Sequence, residues 1–385
     1  MENVVIMVSE GYPLRFSANN TKSRYLALGL REAGCKVALC DSVFGTKGMT
    51  AKQEGISEEG LDYLILPRQG KTRSVFSNII HIWRFLKKRK MKGAHNHVIL
   101  GLERYPFFLV LTTIASLLGY SKSCLFHEWH CGIKQKTRIF QWEANVRDKT
   151  FGYFLDALFP ISHYLEDKSR KFHKPMMLLP VLADFSESVA QADMAYNHFT
   201  YCCGAGFLER NTMVVDAFVK MKELHPEVNC QLVLIVVGNE KEIGWCEHYV
   251  STLNKGNDII LRYQVPSHEL TALYQSSIAL VAPLDPNNIQ DHARFSQKIA
   301  EYVATGRPII TNNVGEIPYY FEDGKSACIV SYNMEDFAQN MWILANSPHQ
   351  ARQIGHQGYQ VGKNAFNLTI VGRDVAQFIC SLKND

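Results

Sequence analysis

Several things are scarce or missing in this 385-residue sequence, and each absence narrows the field. Its ten cysteines form no CxxC pair and keep no regular spacing, which excludes a small secreted scaffold stapled by disulfides. They are expected as reduced, mostly buried thiols of a cytoplasmic protein. No apolar run is long enough to span a bilayer. The longest uncharged stretch, Tyr105 to Ser121, is interrupted by Thr112, Thr113 and Ser116 and suits a buried core helix. The opening MENVVIMVSEG lacks the basic segment of a signal peptide and reads as a strand. There is no internal repeat and no low-complexity segment. Acidic residues are absent from Tyr63 to Leu102, where nine lysines and arginines fall, although the net charge is only +4.

What is present is ordinary globular material, 46% hydrophobic and 20% charged, at a length that implies two domains. Val4 to Val8 is a continuous apolar strand, as expected in the middle of a parallel sheet. A polar loop follows from Ser9 to Asn20, with Gly11 and Ser17-Ala18 in it. Then come a helix from about Thr21 that stops at Gly34 and a strand at Lys36 to Cys40, which complete one βαβ unit. Further strands are expected at Leu61–Leu66, Val98–Leu100, from Ser123, at Asp156–Ser162 and at Met176–Pro180. Helices are expected at Ser77–Lys92, Pro106–Leu118 and Tyr164–Phe172, the last capped by Ser162. Leu182 to His198 is polar and non-periodic and reads as a linker. Beyond it, strands at Phe199–Cys203, Leu232–Val237, Asp258–Leu261, Ile278–Pro283, Ile309–Thr311 and Ala327–Val330 alternate with helices. The fold class is α/β, with two Rossmann-like domains. Residues 1–185, joined by a terminal helix within 366–385, form one, and residues 199–365 form the other.

The most informative stretch is Arg294 to Gly324. Ile299, Tyr302 and Val303 stand at helical spacing, Gly306 ends that helix by tolerating φ > 0, and Pro308 prevents it from restarting. A short β-branched strand and the polar loop Asn312–Glu316 follow, and ligands of open α/β sheets bind at such carboxyl ends. Glu301-Tyr302-Val303-Ala304-Thr305-Gly306-Arg307-Pro308, then Gly315-Glu316-Ile317 and Asp323-Gly324, resemble the donor-binding segment of GT-B glycosyltransferases. The likeness is to glycosyltransferase family 4, in particular its polysaccharide-building bacterial members. It implies two Rossmann-like domains facing each other across a cleft.

It further implies that Glu301 binds the ribose hydroxyls of a nucleotide sugar, a task suited to a carboxylate that accepts two hydrogen bonds. The family's second glutamate, eight residues earlier, is Ala293 here. Gly204 and Gly206 would bring loop amides to the donor, and Gly11 would do so from the first domain. Arg210 would neutralise the diphosphate, with Lys298 as second cation in place of an arginine that is Ala205 here. Gln297 would join them, and Tyr263 and Val265 lie in the loop expected against the base. His127, at the end of a strand, takes the donor sugar or its phosphate. Glu128, His130 and Trp129 face the acceptor, with Glu128 a general base if the enzyme inverts.

The implied activity is transfer of a sugar from a nucleotide sugar to a saccharide or lipid-linked saccharide in cell-surface glycan synthesis. Retention is the family's usual outcome. No DxD-type motif is evident and His127-x-x-His130 lacks a third ligand, so no metal and no cofactor are assigned. A nucleotide-sugar 2-epimerase of the same fold and a non-catalytic sugar-nucleotide-binding protein are the rivals. Gly204-x-Gly206 lacks the third glycine of a dinucleotide fingerprint, since Glu209 stands there, which counts against a dehydrogenase. The basic helix Ser77–Lys92 either lies on an anionic membrane or packs on the core with a solvated basic end. No nucleic-acid-binding module accompanies it. The expected location is cytoplasmic, with peripheral contact at the inner face of the cell membrane as the membrane reading of that helix.

Overall fold

The computed structural model describes residues 2–9, 11–14, 18–68, 72–186, 197–253 and 258–382. Ser17 of the first loop and positions 187–196 of the expected linker lie outside the described residues. The chain divides into two compact units. The first comprises Met1–Ala183, Ala293–Gln297 and Phe366–Asp385, and the second Asp184–His292 and Lys298–Ala365.

The first unit holds strands β1 (Glu2–Ser9), β2 (Lys36–Asp41), β3 (Gln53–Ile56), β4 (Asp62–Ile65), β5 (His95–Gly101), β6 (Ser121–Phe126) and β7 (Ala157–Pro160). Helices α1 (Ala18–Glu32), α2 (Thr72–Arg89), α3 (Tyr105–Leu117), α4 (Arg138–Thr150) and α5 (His163–Ser169) connect them. The sheet order is β3-β4-β2-β1-β5-β6-β7, parallel throughout except for the edge strand β3. Val4, Val5 and Ile6 are all fully buried, which is why β1 reads as an unbroken apolar run. The terminal helix, Leu368–Ser381, belongs to this unit. It crosses α1 where two glycines meet: a Cβ on Gly372 would lie 2.2 Å from the carbonyl carbon of Gly29. With α1 it covers one face, where Leu26, Leu30, Val371 and Val375 pack on Val4, Ile6 and Leu39. On the other face Phe126 meets Phe151 at 4.8 Å between ring centres, and Phe151 meets Phe108.

The second unit holds β8 (His198–Gly204), β9 (Gln231–Val237), β10 (Ile259–Tyr263), β11 (Ala279–Ala282), β12 (Ile309–Asn312) and β13 (Cys328–Val330). Its helices are α6 (Leu208–Leu224), α7 (Glu240–Thr252), α8 (Ser267–Gln275), α9 (Ile289–Ala293), α10 (Gln297–Ala304), α11 (Ile317–Tyr320), α12 (Met334–Asn346) and α13 (Pro348–Ala365), and the terminal helix is α14. Both α9 and α10 touch Ala293–Gln297, the segment that groups with the first unit. The sheet is parallel, in the order β10-β9-β8-β11-β12-β13, so the strand order reverses direction between β8 and β11. Gly306 closes α10 with φ 71°, as its position predicts.

The structure departs from the sequence reading at two places and adds two helices it did not include. Met176–Pro180 is not a strand: it makes one bridge to Leu158 and runs beside β7 through hydrogen bonds at Met177 and Leu179. The segment after the strand expected at Ile278–Pro283 reads as a loop from Leu284 to His292, but its second half forms the short helix α9. Helix α4 escaped the pattern because it is inverted, with Ile139 and Trp142 exposed while Arg147 and Asp148 are buried. Helix α13 escaped because its buried face is Gly355, Gly358 and Gly362. A Cβ on those glycines would lie 2.2 Å from the Gly306 carbonyl oxygen, 2.7 Å from that of Ser326 and 2.5 Å from a Val303 methyl. The same face also buries Ala351, Ile354 and Tyr359, but it packs partly on backbone, so its apolar side chains are too few to form a clear stripe.

All ten cysteines are free thiols, eight of them buried, with Cys131 half-buried and Cys380 exposed. Among the described residues no helix is long and apolar enough to cross a membrane.

Candidate active site

Open parallel sheets bind ligands where the strand order reverses, beyond the carboxyl ends of the strands. In the second unit that place is between β8 and β11. Pairing of β8 with β11 ends at Thr200 and Leu280, although β8 stays paired with β9 to Gly204. The two strands part, and the backbone of Cys202 needs other partners. Helix α10 supplies them: Cys202 N–H donates to Tyr302 Oη at 3.2 Å, and Lys298 Nζ donates to the Cys202 carbonyl at 2.5 Å. Lys298 is thus half-buried and holds the opening apart, with donors still to offer a ligand. Glu301 lies one turn further along α10, also half-buried.

The loop after β8 carries Gly204, Ala205 and Gly206. Asn211 donates to the Gly204 carbonyl at 2.9 Å and itself accepts from Tyr201 Oη at 3.0 Å, which pins the loop to the first turn of α6. Ala205 is fully buried, and a Cβ on Gly238 would lie 2.6 Å from its methyl. No arginine fits there. The cation near this loop is Arg210 of α6, whose guanidinium ion-pairs with Asp291 and hydrogen-bonds Tyr332, a hydroxyl whose pKa burial raises and Arg210 lowers. The Phe207 ring lies 5.0 Å from the guanidinium carbon.

Asp291 is the residue that sequence reasoning left without a role. It is 9% exposed and also accepts from Asp285 N–H at 2.8 Å. Gly315, with φ 61°, brings the loop after β12 so close that a Cβ would lie 2.4 Å from the Asp291 carbonyl oxygen. Asn312 ties the same ends together, accepting from Leu284 N–H and donating to the Val330 carbonyl, both at 2.8 Å. The signal for Asp291 was its position, one short loop after β11, and only the fold shows that this loop faces α6. Ala293, where the family glutamate would stand, is fully buried.

Tyr263 and Val265 follow β10, and Tyr263 is exposed. Its hydroxyl is shifted beyond its usual range by burial and by a hydrogen bond to Glu247. Gln297 stands elsewhere. It is buried in the first unit, where its amide donates to the Leu182 carbonyl at 2.6 Å. This bond ties the first residue of α10 to the backbone at Leu182.

The remaining expected residues lie at the carboxyl ends of the first unit's strands. Gly11 adopts φ 81°, and its N–H donates to the buried carboxylate of Asp41 at 2.8 Å. His127 lines a pocket with Lys22, Leu26, Leu125, Ile161 and Leu179. Burial, and then Lys22, pull its pKa well below the usual histidine range. At neutral pH it can donate or accept a hydrogen bond but brings no positive charge to a phosphate. Glu128 pairs with Arg294 at 3.0 Å and faces His130 Nε2 at 3.8 Å. Trp129 packs edge-on against Tyr164 and Phe126, with Lys168 and Lys171 each 5.9 Å from its ring. Ser162 caps α5 by accepting from Leu165 N–H at 3.2 Å. No group of three or more His, Cys, Asp or Glu among the described residues is arranged to hold a metal ion.

These features define a class. Residues 202–347 match the family Glycosyl transferases group 1. With two Rossmann-like units and this strand-reversal site, the chain has the architecture of the GT-B fold, and the family match falls almost wholly within its second unit. A D-inositol 3-phosphate glycosyltransferase of Thermobifida fusca is 23% identical over 157 residues, which are 39% of this chain and 35% of that relative. The chain therefore spans about a third of the length of the curated relative it matches. Among solved structures, sucrose-phosphate synthase from Thermosynechococcus elongatus superposes with a TM-score of 0.74 at 15% identity, over 100% of both chains. Anabaena Alr3699/HepE, in complex with UDP and glucose, gives 0.72 at 9% identity, over 98% of this chain and 99% of that one. At those identities the structures establish the shared fold.

Proposed function

We propose that the protein transfers a glycosyl group from a nucleotide sugar to a saccharide or lipid-linked saccharide acceptor. The second unit holds the donor. Glu301 accepts hydrogen bonds from the ribose hydroxyls, and Arg210 with the loop amides at Gly204–Gly206 takes the diphosphate. As the glycosidic bond breaks, negative charge collects on the leaving diphosphate, and a fixed guanidinium with fixed amides lowers that barrier. The observation that carries this reading is Arg210, buttressed by Asp291 beside the parting of β8 and β11. Neighbouring folds that bind UDP and glucose support the ligand class.

Transfer is read as metal-independent, because cations of the chain meet the charge, and as retaining. The exposed Phe76 and Ile80 of α2, followed by Arg84, Lys87 and Lys88, support peripheral contact with an anionic membrane. Glu54 pairs with Lys88 and Arg89 and so mutes part of that charge.

The test is a thermal-shift panel of UDP, GDP and dTDP with their sugar derivatives, followed by turnover of the best binder. Binding to the wild type that Glu301→Ala weakens is expected. No binding at millimolar concentration would refute the reading. Binding and isomerisation without an acceptor would favour the epimerase, and binding without turnover the non-catalytic alternative.

A further inference from the structure

Outside the donor site one buried acid has no assigned task. Asp148, in α4, has a side chain with no solvent exposure. One of its oxygens accepts from Cys131 N–H at 2.9 Å. The other, Oδ1, lies 3.3 Å from Nδ1 of His130, and neither of those two atoms has a hydrogen bond. A buried carboxylate is costly unless paired. Here the pairing groups are Arg147, whose Nε is 3.6 Å away, and the imidazole. Arg147 is itself tied to Glu143 and to the Glu103 carbonyl, so it cannot swing away.

The other groups around the ring are few. Glu128 faces Nε2 and is itself held by Arg294. The Cys131 thiol is pushed up to about 11 by burial and by Asp148, so it is neutral. Lys149 and Lys171 act on that thiol, and Lys171 Nζ donates to the Asp148 carbonyl at 3.1 Å. Of the two carboxylates that flank the imidazole, Asp148 is nearer and fully buried, whereas Glu128 is 3.8 Å away with a side chain 42% exposed. The Coulomb term falls with distance and is screened at the surface, so Asp148 decides which nitrogen carries the proton.

We propose that Asp148 is the positioning residue of an acceptor-hydroxyl site on the first unit, fixing His130 so that Nε2 receives a hydrogen bond from that hydroxyl beside Glu128. This rests on the transferase reading. When the ring is neutral, its proton sits on Nδ1, toward Asp148, and the Nε2 lone pair faces outward. Nε2 and the Glu128 carboxylate then make two acceptors at the carboxyl end of β6, a match for a saccharide that presents vicinal hydroxyls. Ligand binding tightens the 3.3 Å contact, as is common for site hydrogen bonds that are long in the free state.

The test has two arms. Nitrogen-15 spectra of histidine-labelled protein, with His130→Gln to identify the resonance, are expected to show the Nδ1–H tautomer in the wild type. That preference should be lost in Asp148→Asn, which preserves shape and the bond from Cys131. An Nε2–H tautomer in the wild type, or no change in Asp148→Asn, overturns the proposal. In the second arm, transfer to p-nitrophenyl hexosides and hydrolysis of the donor are measured with UDP-glucose or GDP-mannose. The ratio of transfer to hydrolysis should fall on the order of 10²-fold in Asp148→Asn, the usual cost of a misplaced reacting group. His130→Gln should reproduce the fall, and the double variant should add little to it. Transfer and hydrolysis falling together, with a collapsed Tm, would make Asp148 structural. A wild type that neither binds nor hydrolyses any donor would sink the transferase reading instead, while the spectra still judge the pair.

Discussion

Arg210 shows what a single side chain can and cannot reveal. In the sequence it is one arginine near a glycine loop; in the structure it is held by Asp291 and Tyr332. Removing a charge-assisted bond to a diphosphate costs about 1.5–3 kcal/mol. Arg210→Ala should therefore weaken UDP binding by roughly 10- to 100-fold in titration calorimetry. Glu301→Ala should weaken it through the ribose, with the loss absent for a ligand that lacks those hydroxyls. A second residue sets a pH limit. His97 is fully buried, with Nε2 2.8 Å from Ser123 Oγ, and burial with His95 nearby pulls its pKa down to about 3. The unfolded chain, at about 6.5, binds a proton there that the folded chain refuses. Its contribution is complete above that value and is lost as pH falls from about 6.5 toward 3. In His97→Gln, Tm should fall less between pH 7 and pH 5 than in the wild type.

Elements pack here through missing side chains as much as through present ones. The crossing of α1 and α14 needs Gly29 and Gly372, since a Cβ on Gly29 would lie 2.0 Å from the Leu368 carbonyl oxygen. That oxygen cannot retreat without moving the helix. Gly372→Ala should thus cost at least about 1–3 kcal/mol, the ordinary penalty for overpacking. Thermal unfolding should show a Tm lower by several degrees, while nucleotide affinity of the folded protein stays unchanged. Gly315→Ala is the contrasting case. It strains a positive φ and pushes on the Asp291 carbonyl, so it should weaken UDP binding as well as lower Tm.

At the scale of the whole molecule the strand orders matter most. Reversal of order between β8 and β11 creates an opening whose edges are then lined by α6, α10 and the loops after β11 and β12. A nucleotide bound there should stabilise the folded state by about 2.7 kcal/mol at a hundredfold excess over Kd, so that the apparent Tm climbs with the logarithm of its concentration. If Arg210 and Lys298 meet the diphosphate charge as proposed, turnover should survive EDTA. Loss of activity on chelation, restored by a divalent ion, would overturn that.

Much of the fold was legible because its strands are buried on both faces and its helices end in clear signals. Val4–Val8, Ile309–Thr311 and Gly306 announced themselves through local preference alone. The segment around Glu301 was legible for a different reason: its residues resemble those of a known family. What local preference could not disclose was every feature made by distant partners. Helix α13 hides behind glycines that match a backbone ridge, and α4 hides because it buries Arg147 and Asp148 and exposes Trp142. The bond from Gln297 to the Leu182 carbonyl and the pairing of Asp291 with Arg210 each join segments far apart in the chain. The two-unit α/β architecture could be read from residue order alone, since periodicity and turn chemistry act over a few residues. Which charges meet became visible only in the folded chain, because ion pairing and close backbone approach depend on distances between segments that the chain's order does not record.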